Sequence, residues 1–147
     1  MAASEPHPVP CVVLDTNAVL DWLLFRNPAM DPLARAIDSG AVRWIATSRM
    51  REELAATLTK PSLARWNPDS VHMLTRVDAT AAYRPEPQIA PGLALHCTDA
   101  DDQVFIDLAL AEGARWLVTQ DRALLRLARR AALQGVLVVP PVRWRGA

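Results

Sequence analysis

Residues 12–17, Val12-Val13-Leu14-Asp15-Thr16-Asn17, narrow the choice of folds more than any other stretch of the chain. Two β-branched valines and a leucine make a short apolar run, which reads as a strand buried on both faces. Three helix-capping residues come next, and then the apolar-periodic segment from Ala18 to Phe25. A strand that passes into a helix through a tight polar turn leaves its last side chain at the carboxyl end of a sheet. In open α/β sheets, ligands bind at that edge. Asp15 is therefore a carboxylate at the expected functional edge, and the rest of the chain decides what joins it there.

The same strand-then-helix order recurs. A helix over about Pro32 to Ser39 stops at Gly40, and Val42 to Ala46 reads as a second strand. Thr47 or Ser48 caps a helix reaching about Thr59. Asn67-Pro68 reads as an N-cap with proline at the first helical position, opening a helix to about Ala82. Arg84 to Pro91 holds three prolines and reads as a loop, while Gly92 to Asp99 matches no pattern clearly. Asp101 to Glu112 is helical by the spacing of Phe105, Leu108 and Ala109. Trp116 to Thr119 is a strand, Asp121 opens a helix over Ala123 to Ala132, and Val136 to Val139 is the last strand. Strands alternating with helices imply a parallel sheet covered on both faces, a three-layer α/β/α architecture. The 147 residues read as one domain, with a core from about 12 to 139 between tails at 1–9 and 140–147.

Composition excludes several classes. Formal net charge is zero, so no global field draws the chain to nucleic acid or membrane. The charge is uneven, however. Asp99, Asp101, Asp102 and Asp107 crowd one segment; Arg115, Arg122, Arg126, Arg129, Arg130, Arg143 and Arg145 load the C-terminal part. Cys11 and Cys97 lack the spacing of a zinc site or a disulfide scaffold. No apolar run approaches the roughly 18 residues of a membrane span, and the N-terminus lacks the order of a signal peptide, so a soluble cytoplasmic protein is expected.

Acidic residues at strand ends and helix starts carry the chemistry. Asp15 ends the first strand and Asp121 lies two residues past Thr119; Glu52-Glu53 and Asp101-Asp102 begin helices. A parallel sheet brings such positions to one edge. Met50, Leu54 and Leu58 mark the buried stripe of one helix, and Glu53, about 100° from Leu54, sits at its shoulder while Glu52 points to solvent. The same test does not separate Asp101 from Asp102. Carboxylates at contact distance cannot all stay ionised unless a hard cation lies between them, and Mg²⁺ or Mn²⁺ takes such oxygen ligands. Two-metal phosphodiester hydrolysis uses this kind of site.

These motifs, in this order, resemble the PIN-domain ribonucleases. Val-Val-Leu-Asp-Thr-Asn is similar to the family's opening motif, and so is Glu53-Leu54 in a helix after the second strand. Asp99-Ala100-Asp101-Asp102 with Phe105 and Ala109, then Leu117-Val118-Thr119-Gln120-Asp121, resembles the remaining motifs of its toxin–antitoxin branch. The resemblance covers about Val12 to Val139. It implies a five-stranded parallel sheet, an acidic pocket binding Mg²⁺ or Mn²⁺, RNA cleavage, a homodimer, and an inhibitory antitoxin as partner. Matching positions are Asp15, Glu53, Asp102 and Asp121, with Asn17, Thr119 and Asp101 in support. Gln103 stands where the common form has a third consecutive acid.

Other readings compete. Each acid alone reads as a helix cap or a solvated face, and the arginines at 122, 126, 129 and 130 read first as a solvated face, with RNA contact second. A degenerate PIN module that binds RNA or a protein without cutting is the non-enzymatic alternative. A phosphotransfer domain fits poorly: Asn17 stands where a phosphatase needs a second Asp, and the only lysine, Lys60, lies far from the last strand.

Overall fold

The computed structural model describes residues 8–146; Met1 to His7, which make up most of the expected N-terminal tail, and Ala147 lie outside the described residues. Five strands form one all-parallel sheet: β1 (Cys11–Leu14), β2 (Arg43–Ala46), β3 (Ala82–Tyr83), β4 (Trp116–Val118) and β5 (Leu137–Val139), in the order β3-β2-β1-β4-β5. The order reverses at β1. Successive strands first build outward on the β2 side and then on the β4 side, so a crevice opens at the carboxyl edge between β1 and β4.

Helices α1 (Thr16–Leu23), α2 (Asp31–Asp38), α3 (Ser48–Leu58), α4 (Ser70–Thr80), α5 (Gln103–Ala111), α6 (Arg122–Leu125) and α7 (Ala128–Leu133) connect the strands. Because both faces of a parallel sheet are covered, both sets of alternating side chains are apolar. Val12, Leu14, Trp44, Trp116 and Val118 belong to one core with α1, α2 and residues of α3 and α4. Val13, Ile45, Leu117 and Val138 belong to a second core with α5, Leu124, Leu127 and Ala131. Four tryptophans fill the first core. Trp22 meets Trp44 edge-on, and Trp116 meets Trp144 in the same way, each pair with ring centroids 5.4 Å apart.

Several details depart from the sequence reading. The helix expected to run to Ala82 stops at Thr80, and Ala82–Tyr83 pairs with Ile45–Ala46 as an edge strand. Two residues are too short to show a pattern of their own; the ladder of β2 defines them. Asp69, not Asn67, caps α4, its carboxylate accepting from the His72 amide at 3.0 Å, while Asn67 adopts a left-handed φ of 45° that ends a 3₁₀ turn over Pro61–Trp66. The expected C-terminal helix is divided into α6 and α7 by a tightened turn in which the Leu127 amide donates to the Leu124 carbonyl. Past β5, the segment expected as a tail is packed: Pro141 and Trp144 are buried.

Candidate metal centre

Strand register places the first pair. Leu14 lies opposite Val118, so the next residues, Asp15 and Thr119, leave the sheet side by side on the face of Val13 and Leu117. Both are buried. One Asp15 oxygen accepts from the Ala18 amide at 2.8 Å and caps α1; the other accepts from the Thr119 hydroxyl. That hydroxyl oxygen also accepts from the Asp121 amide at 2.9 Å. Thr119 thus ties together two carboxylate-bearing turns on adjacent strands. Burial pushes the Asp15 carboxyl up to about 6, against the opposing pull of its two hydrogen bonds, and the charges of Asp121 and Asp21 push the same way as burial.

Three more carboxylates meet beside it. One oxygen from each of Asp99, Asp102 and Asp121 lies within 4.8 Å of the others. Asp121 reaches this point as the cap of α6, accepting from the Leu124 amide at 3.2 Å. Asp99 caps the 3₁₀ turn Ala100–Asp102 through the Asp101 amide at 3.0 Å, and Asp102 ends that turn just ahead of α5. Partial burial and the charges of Asp121, Asp99 and Asp15 together raise the Asp102 carboxyl to about 7. Three carboxylate oxygens this close together, with no cation among the described side chains paired to them, fit a divalent cation. Two oxygens on opposite sides of an octahedral Mg²⁺ sit about 4.2 Å apart, within the spacing of this cluster.

The remaining expected residues fall around the three acids. Thr119 is central. Asn17 is exposed near the start of α1. Asp101 is exposed and supplies only its amide to Asp99, its side chain lining an adjoining groove of about 580 Å³. Glu53 is also exposed and lines that groove with Glu52, Glu86, Asp107 and Arg49; it is not one of the three clustered acids. Its helix α3 turns Met50, Leu54 and Leu58 inward, leaving Glu53 on the groove wall.

Sequence reasoning alone misses the part played by three residues. Asp99 stands out in the sequence only as part of a motif, although as the first acid of the Asp-x-x-Asp pair it carries the cap that aims it. Asp21 is partly buried, which raises its carboxyl, and Gln120 donates to it at 2.8 Å, linking α1 to the turn before Asp121. Gln103, which stands where the resemblance has a third consecutive acid, bonds elsewhere than to the clustered acids. Its side-chain oxygen accepts from the Cys97 amide at 2.7 Å, while its nitrogen donates to the Leu95 carbonyl at 2.7 Å and to Asp107 at 2.9 Å. It staples to α5 the loop that delivers Asp99.

Fold and site together define an α/β protein with its carboxylates gathered at the topological switch point. The chain belongs to the PIN-domain family, whose model matches residues 11–123. PIN domains are generally nucleases that use divalent metals, and they often bind RNA and antitoxins. Neither a curated protein nor a solved structure matches the chain significantly. No helix among the described residues is long and apolar enough to cross a membrane.

Proposed function

We propose that this protein is a Mg²⁺- or Mn²⁺-dependent endoribonuclease of the cytoplasm, the toxin of a toxin–antitoxin pair, acting as a homodimer. The observation that carries the reading is the convergence of Asp99, Asp102 and Asp121 beside the buried Asp15 at the mouth of a PIN fold.

In this reading Asp99, Asp102 and Asp121 hold the cation, and Asp15 supports them from the sheet edge. A divalent ion held by these residues would supply Lewis acidity toward a phosphodiester and toward an attacking water, the chemistry of hydrolysis to a 5′-phosphate and a 3′-hydroxyl. Thr119 fixes the rotamer of Asp15 and the position of Asp121, so that the carboxylates need not reorganise when the phosphate arrives. Glu53 and Asp101 stand at the outer wall and act through the clustered carboxylates or through water.

Asp15→Asn keeps the shape while removing the charge; its one oxygen still accepts from the Ala18 amide, and the Thr119 hydroxyl loses its acceptor. The expected result is loss of RNA cleavage with the fold intact, and loss of wild-type cleavage in EDTA. Glu53→Gln is expected to cost roughly tenfold, the scale of an outer partner. Full activity of Asp15→Asn, or cleavage indifferent to EDTA, overturns the nuclease reading; metal binding without cleavage leaves the non-cutting module in its place.

A further inference from the structure

The two flanks of the carboxylate mouth carry opposite charge. On the side of α3 and α5, the groove of about 580 Å³ is lined by Glu52, Glu53, Glu86, Asp101 and Asp107 against one cation, Arg49. On the other side, α6 and α7 start from Asp121 itself. Their inward stripe is Leu124, Leu127 and Ala131, all buried. Their outward positions are Arg122, Arg126, Arg129 and Arg130, all exposed, at spacings of four and then three or four. None of the four takes part in an ion pair among the described residues. No acid occurs anywhere from residue 122 to the end of the sequence. A neutral molecule has therefore placed a one-signed cationic row next to its acidic mouth.

We propose that the α6–α7 arginine row is the track for the phosphate backbone of single-stranded RNA, and that it sets the side from which the strand enters the mouth. The inference deepens the ribonuclease reading and rests on it for the identity of the ligand. Four exposed guanidiniums without carboxylate partners are free to pair with phosphate oxygens in bidentate fashion. The first of them is covalently adjacent to Asp121, so a strand held on the row has a phosphate delivered to the clustered acids. On the opposite flank, five carboxylates repel the same polyanion. The long-range field thus favours one approach over the other before any short-range contact forms.

The test reads binding, not cleavage. Arg126→Ala/Arg129→Ala/Arg130→Ala is compared with the wild-type chain by fluorescence anisotropy of a labelled single-stranded RNA, without divalent ion, across a salt series. Each lost phosphate contact lowers the slope of log affinity against log salt by about 0.7, so the triple variant is expected to lose about 2 in slope. At 0.1 M salt that difference amounts to about a hundredfold weaker binding relative to a 1 M reference. A companion Glu52→Gln/Glu86→Gln variant is expected to bind equally or more tightly. An unchanged slope and affinity in the arginine variant, with its melting temperature preserved, overturns the track; so does a loss of RNA binding in the groove variant. An arginine row that instead binds an acidic protein gives the same unchanged slope with RNA. Because no cleavage is read, an inactive protein that still shows the slope difference sinks the nuclease reading and leaves the track standing.

Discussion

Asp15 is a residue whose charge is costly to the fold, and the proposed function gives that charge a use at the site. It is buried with two hydrogen-bond donors, and burial holds its carboxyl near 6, above the usual carboxylate value of 3.8. Since the folded pKa is raised, ionisation destabilises the native state. The penalty is absent at a pH below the unfolded value, grows as pH climbs, and is complete above about 6, where it amounts to about 3 kcal/mol for Asp15. Asp102, raised to about 7, adds to it over a slightly higher window. Metal-free protein is therefore expected to melt at a lower temperature at pH 8 than at pH 5.5, and Asp15→Asn to remove part of that difference. Calorimetric scans with and without Mg²⁺ check this. The same protons compete with a cation, so Mn²⁺ affinity is expected to fall as pH drops through 7, measurable by titration calorimetry.

At the scale of the element, what matters is how short turns aim side chains. Asp15, Asp99 and Asp121 each cap a helix or 3₁₀ turn, and this fixes one oxygen of each on an amide and presents the carboxylate to the mouth. Capping and the proposed ligation are therefore compatible roles for one residue, and the caps themselves are present whether or not a metal binds. The loop before Asp99 has little regular structure, and Gln103 ties it to α5 through two hydrogen bonds, to Leu95 and Cys97. Gln103→Glu removes two donated bonds and sets a charge against Asp107. It is expected to destabilise the protein by about 2 kcal/mol and to weaken metal binding about tenfold, read by denaturant melts and metal titration. The strand-to-helix motifs at Asp15 and Asp121 are legible because strand, cap and helix are contiguous in sequence. Asp99, Asp21 and the staple of Gln103 are not, since each takes its meaning from a partner on another element. Glu53 shows the converse: the helical phase that sets it apart from Glu52 in the sequence does not separate them in the fold, where both are exposed and line the same groove, because phase gives a direction from the helix axis and not a distance to the mouth.

For the whole molecule, parallel alternation predicts the three layers, and β1 at the reversal of strand order explains why the acids meet where they do. The segment after β5 escapes the sequence reading because Pro140-Pro141 announces the end of a strand and carries no signal of the packing beyond it. Trp144 in fact closes the first core over Trp116. Trp144→Ala is expected to cost about 3–5 kcal/mol, seen as a lower midpoint in urea. The placement of the aromatic residues has a practical consequence. Trp22, Trp44, Trp116 and Trp144 all belong to the layer behind the sheet from the clustered acids, whereas Trp66 is exposed. Intrinsic emission is accordingly weighted to that rear layer, with Trp66 adding a solvent-exposed background, and it reports the layer's melting while remaining largely silent to whatever occupies the front.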